Sequence, residues 1–79
     1  MIEERIRKII VENAELDESV ENIASDALLR DVGVDSIEMI TIIAMIEQEF
    51  SLEITDEDMI DDNFMCIDKI VTFVKKRTK

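Results

Sequence analysis

Apolar residues recur at three- and four-residue intervals along most of this chain. Ile2, Ile6, Ile9, Ile10 and Ala14 fall on one stripe of residues 2–14, while Glu3, Glu4, Arg7, Lys8 and Glu12 lie off it. That is the period of an amphipathic helix. Between residues 36 and 50 the apolar set is broader: Ile37, Met39, Ile40, Ile42, Ile43, Ala44, Met45, Ile46 and Phe50 cover more than half of a helix circumference. A small domain cannot surround such a helix, so part of it should stay exposed as a docking strip. Ile42, Ile43, Ile46 and Phe50 are expected to pack inward, with Ile37, Met39, Ile40 and Met45 left as outward contacts. A last helix follows from Ile67, Ile70, Val71 and Val74 and ends in Lys75, Lys76 and Arg77, cations suited to a helix C-terminus.

Boundaries follow from polar residues. Asp35 is an N-cap residue and Glu38, three positions on, completes a capping-box pattern, which starts the second helix at Ser36. Gly33, the single glycine, stands where a sharply turning chain needs a positive φ or a small side chain. Thr55, Asp56, Glu57 and Asp58 offer a cap followed by acids, predicting a short helix over 56–61. Residues 15–35 mix a weak apolar stripe with turn-forming Asp17, Ser19, Asn22, Ser25 and Asp26. They predict a long connection with short helical turns, pinned by Leu28, Leu29 and Val32. No segment has a strand pattern. The expected fold is all-α: one domain over residues 1–79, a small bundle of three long helices and one short one.

Composition narrows the function. The 79 residues carry 20 acids against 9 bases, a formal charge of −11. Such an excess repels phosphate backbones and anionic headgroups, so neither nucleic-acid binding nor membrane insertion is expected. From Asp31 to Asp68 there are 12 acids and no Lys or Arg, which points to partners with basic surfaces. One Cys builds no intramolecular disulfide, no apolar run spans a bilayer, and Met1, Ile2, Glu3, Glu4 do not open a signal peptide. A monomer in a reducing cytoplasm is the expectation.

Catalysis by the chain itself is not expected. There is no His for a triad, and Gly33-Val34-Asp35-Ser36 lacks the spacing of a nucleophile elbow. Asp56, Asp58, Asp61 and Asp62 supply hard oxygen ligands, but Ile60 and Asp61 occupy the third-ligand and glycine positions of an EF-hand loop, so no metal site is expected. Cys66, between Met65 and Ile67, reads as a small buried hydrophobe.

The stretch Asp31-Val32-Gly33-Val34-Asp35-Ser36-Ile37-Glu38 resembles the signature of acyl carrier proteins and related peptidyl carrier domains, in which a D-S dipeptide follows a glycine and opens an apolar helix. The likeness continues through Ile46-Glu47-Gln48-Glu49-Phe50-Ser51-Leu52-Glu53-Ile54, similar to the family's E-x-x-F-x-x-x-I segment before an acidic third helix. The resemblance implies that Ser36 is an attachment point rather than a nucleophile. A phosphopantetheinyl transferase would link 4′-phosphopantetheine from coenzyme A to its hydroxyl, and the arm's thiol would carry acyl groups. Asp35 would cap the helix and also contact the transferase. Acyl-processing enzymes with basic docking surfaces would meet Ile37, Met39, Ile40 and Met45 together with Glu38, Glu47, Glu53, Asp56 and Glu57. Ile37, Thr41, Thr55 and Phe64-Met65-Cys66 depart from the pattern of housekeeping fatty-acid carriers, so fatty-acid, polyketide and other acyl pathways stay open. An unmodified acidic adaptor binding basic partners through the second helix is the alternative.

Overall fold

The computed structural model describes residues 2–60 and 62–78. Among these described residues four α-helices appear in order: α1 (Ile2–Asn13), α2 (Ser36–Phe50), α3 (Asp56–Ile60) and α4 (Ile67–Arg77). Short 3₁₀ turns at Val20–Asn22, Leu29–Val32 and Asp62–Phe64 fill the connections, and no described residue is in a strand. The first helix ends one residue before the predicted Ala14, which is half-buried against the core. Asp61, the predicted end of the short helix and one of the carboxylates weighed for calcium, lies outside the described residues.

α1 packs against both α2 and α4, and the stripes that meet are those of the sequence. Ile6 and Ile10, Ile42 and Ile46, and Ile67, Ile70 and Val74 are each fully buried. β-branched side chains dominate this core, and each buried Ile contributes roughly 1.5–3 kcal/mol relative to exposure. Phe64 and Phe73 add a tilted aromatic pair, with centroids 5.1 Å apart, between the last 3₁₀ turn and α4.

The long connection from residue 14 to residue 35 is ordered by a cation that the sequence placed on the polar face of α1. Arg7 donates to the carbonyls of Val20 at 2.6 Å and Ile23 at 2.9 Å, reaches Ser25 Oγ at 3.2 Å, and pairs with Glu3 at 3.0 Å. Ile23 and Leu29, both in this connection, are buried. Two backbone bonds stitch the connection to the segment before α4 and to the first turn of α4: Leu29 N–H to Met65 O and Asp68 N–H to Ser25 O, both 2.9 Å. Of the three expected pins, Leu29 and Val32 are buried, whereas Leu28 is only half-buried.

Candidate functional site

Gly33 ends the Leu29–Val32 turn at φ +110°, a left-handed conformation that costs an L side chain energy. Its open side faces the earlier connection closely: a Cβ there would stand 2.9 Å from Glu15 O and 3.2 Å from Asp17 N. The reversal delivers Asp35 in extended conformation to the start of α2, where the capping box forms as expected. Glu38 N–H donates to Asp35 Oδ1, and Glu38 Oε1 and Oε2 accept from the N–H groups of Asp35 and Glu15. The start of α2 is thus tied to both chain segments that precede it.

Ser36 is the first residue of α2 and is exposed. Among the described residues nothing hydrogen-bonds its hydroxyl. It borders a cleft of about 460 Å³ between the Leu29–Val32 turn, the first turn of α2 and the Asp62–Phe64 turn. Leu28, Leu29, Val34, Met39, Phe64 and Met65 make the cleft apolar, and Arg30, Asp35, Ser36 and Asp62 are its polar groups. First-turn N–H groups of α2 have no helical carbonyl to meet, and the positive end of the helix dipole lies here. An anion esterified to Ser36 would enter a favourable field, and a flexible chain leaving it would find apolar surface beside it. The residues fit a phosphopantetheine group.

The predicted outward face of α2 is only partly free. Ile37, Ile40 and Met45 are exposed, at 74%, 64% and 37%. Met39 is instead half-buried, packed on the core and lining the cleft, because it lies one helical turn before the buried Ile42 and Ile43. Phe50, expected inside, is also half-buried: the Arg5 guanidinium covers its ring at 4.5 Å while Arg5 bonds Glu49 at 2.7 Å. Among the acids, Glu53, Asp56 and Glu57 are exposed. Glu38 serves the cap, and Glu47 is half-buried with its carboxylate accepting the Ile54 N–H at 2.8 Å.

Asp58 is likewise occupied. It exchanges hydrogen bonds with Thr55 at the start of α3 and binds Arg77 at 2.5 Å. The Arg77 bond, with help from the Thr55 N–H, holds its carboxyl down at about 2 from the usual 3.8. No described group of acids and thiols is arranged to hold a metal ion. Cys66 is buried, as its apolar neighbours suggested. The cleft residues Leu28, Phe64 and Met65 carried no functional signal in the sequence, because the Leu29 to Met65 hydrogen bond that gathers them joins segments far apart in the chain.

The family model described as "Phosphopantetheine attachment site" matches residues 4–74. The acyl carrier protein of Buchnera aphidicola subsp. Acyrthosiphon pisum strain Tuc7 is 39% identical over 77 residues, covering 96% of this chain and 91% of the relative. That of strain 5A is 38% identical over the same span and shares. Matched across nearly its whole length, with a capped Ser36 bordering the cleft, the chain belongs to the phosphopantetheine-attachment family of acyl carrier proteins.

Proposed function

We propose that this protein carries acyl groups on a 4′-phosphopantetheine arm attached to Ser36. The observation that supports this most is the Ser36 hydroxyl itself, exposed at a firmly capped helix start on the edge of an apolar cleft. In the attachment step, Ser36 Oγ forms a bond to the β-phosphorus of coenzyme A. The pyrophosphate P–O bond breaks, adenosine 3′,5′-bisphosphate leaves, and the hydroxyl proton passes to a base on the transferase. When bound, the arm supplies a terminal thiol that holds acyl groups as thioesters. The chain's own residues bind and orient; the chemistry on the cargo belongs to other enzymes.

Ile37, Ile40 and Met45, with Glu53, Asp56 and Glu57, form the docking set for basic partner surfaces, the transferase among them. Asp35 adds a transferase contact to its capping role. Acidic steering speeds encounter and permits rapid release, as a monomeric shuttle among several enzymes requires. None of the described helices is long and apolar enough to cross a membrane, which suits a cytoplasmic carrier serving fatty-acid, polyketide or related acyl synthesis.

The test is incubation of the apo protein with coenzyme A, Mg²⁺ and a broad-specificity phosphopantetheinyl transferase, followed by mass spectrometry. The expected result is a gain of one arm that is absent from Ser36→Ala. An unchanged mass with several transferases overturns the carrier reading in favour of an unmodified adaptor.

A further inference from the structure

Among the described residues, one cation lines the cleft beside Ser36. Arg30 lines it with Asp35, Ser36 and Asp62, and is exposed. The other three arginines are each engaged by a carboxylate: Arg5 by Glu49, Arg7 by Glu3 and Arg77 by Asp58. The Arg30 guanidinium holds no described residue, although acids share its cleft and Asp31 follows it in sequence. Arg30 is also the last cation before the stretch from Asp31 to Asp68, which has none.

A phosphodiester on Ser36 would add a permanent negative charge close to Asp35 and beside the cleft's Asp62. Within the cleft, Arg30 is the group that can offset it. The Leu29–Val32 turn and the reversal at Gly33 bring Arg30, six positions before Ser36, back to the same cavity. A guanidinium also presents parallel N–H donors that match the two free oxygens of a phosphodiester, which a point-charge ammonium does not. We infer that Arg30 is a positioning residue that pairs with the phosphodiester on Ser36 and so restricts the direction in which the arm leaves the protein. This rests on the carrier reading of Ser36. A carboxylate at the end of an acyl cargo has the same chemistry, but it lies at the far end of a flexible arm, whereas the phosphate is fixed at the Ser36 oxygen and has the higher effective concentration.

The experiment compares apo and holo protein, labelled with ¹⁵N, by the arginine Nε–H resonances and by ³¹P resonance of the holo form. Mass spectrometry first establishes the arm on Ser36. The expected result is that modification shifts the Arg30 Nε–H signal and leaves those of Arg5, Arg7 and Arg77 in place. Arg30→Gln should move the ³¹P resonance, and Arg30→Lys should restore it in part. Modification should also lower the melting temperature of Arg30→Gln by roughly 1–5 °C relative to its effect on the wild type. An unshifted Arg30 signal in a fully modified protein overturns this inference alone. An absent mass gain overturns the carrier reading and this inference with it. In a further arm the holo protein is loaded with a succinyl or a butyryl thioester. A shift of Arg30 that appears only with succinyl names the cargo carboxylate as its partner and overturns the phosphodiester assignment.

Discussion

Asp35 and Glu38 cap each other across Ser36: Glu38 N–H donates to Asp35 Oδ1 at 2.7 Å, and Asp35 N–H donates to Glu38 Oε1 at 3.0 Å. Ser36, the proposed attachment residue, is therefore held between two reciprocal bonds while its own hydroxyl is left to solvent. Asp35→Ala removes the cap acceptor and should cost about 1 kcal/mol in urea unfolding. Asp35→Asn keeps an acceptor and should cost less. If Asp35 serves only as a cap, the rate of modification in Asp35→Asn stays near that of the wild type. The proposed transferase contact requires a drop of about tenfold or more, equivalent to about 1.4 kcal/mol in the barrier.

Gly33→Ala should be more damaging than the loss of that cap. The residue holds φ +110°, and the new Cβ would approach the backbone oxygen of Glu15 at 2.9 Å, an atom that cannot swing aside as a side chain does. A loss of about 2 kcal/mol or more is expected. The strain lies on the segment that delivers Ser36, so modification should slow along with the fall in melting temperature. An Ala variant as stable as the wild type would contradict this account of the turn.

The helices and the capped start of α2 at Ser36 were legible because their signals are local. The Ile stripes of α1 and α4 and the Asp35–Glu38 spacing each occupy a few turns of chain, and the structure forms them where the pattern placed them. Met39 was misread, and the role of Arg7 was out of sight, for the opposite reason. The apolar arc of α2 is so wide that no period separates Met39 from Ile40, and only the cleft against Leu28 and Phe64 decides which turns inward. Arg7 lies off the apolar stripe of α1, and its partners Val20, Ile23 and Ser25 come from a connection with no regular period of its own. The cleft is illegible in the same sense, since it is assembled by backbone bonds between distant segments.

Asp58 predicts an acid-dependent component of stability. Its folded pKa of about 2 lies below the usual 3.8, so the carboxylate contributes stability that is full above pH 3.8 and is lost as pH falls through about 2. Protonation ends its ion pair with Arg77, whose guanidinium also lies 4.5 Å over the Phe73 ring. Relief of repulsion among the other acids acts over a similar pH range, so the useful quantity is the difference between the wild type and Asp58→Asn. That difference in melting temperature should be constant above about pH 5 and shrink toward pH 2. A gap independent of pH would mean that Asp58 acts only through neutral hydrogen bonds to Thr55.

Ile46 and Ile40 lie on the same helix, six residues apart, and should fail in opposite ways. Ile46 is fully buried on α2, which packs against α1, so Ile46→Ala should cost about 2–5 kcal/mol of stability, through both lost transfer energy and the cavity left behind. Ile40 is 64% exposed, and Ile40→Ala should change stability by less than about 0.5 kcal/mol. The docking proposal requires that the harmless variant for folding be the harmful one for partners: the KM for transferase modification should rise several-fold in Ile40→Ala, with kcat little changed. The same proposal assigns the steering to exposed acids, so raising the ionic strength to about 0.5 M should weaken modification of wild type and variant alike, as the Debye length contracts below about 5 Å. If Ile40→Ala leaves KM untouched while salt still weakens it, docking rests on the acids, and the exposed apolar strip of α2 has another use.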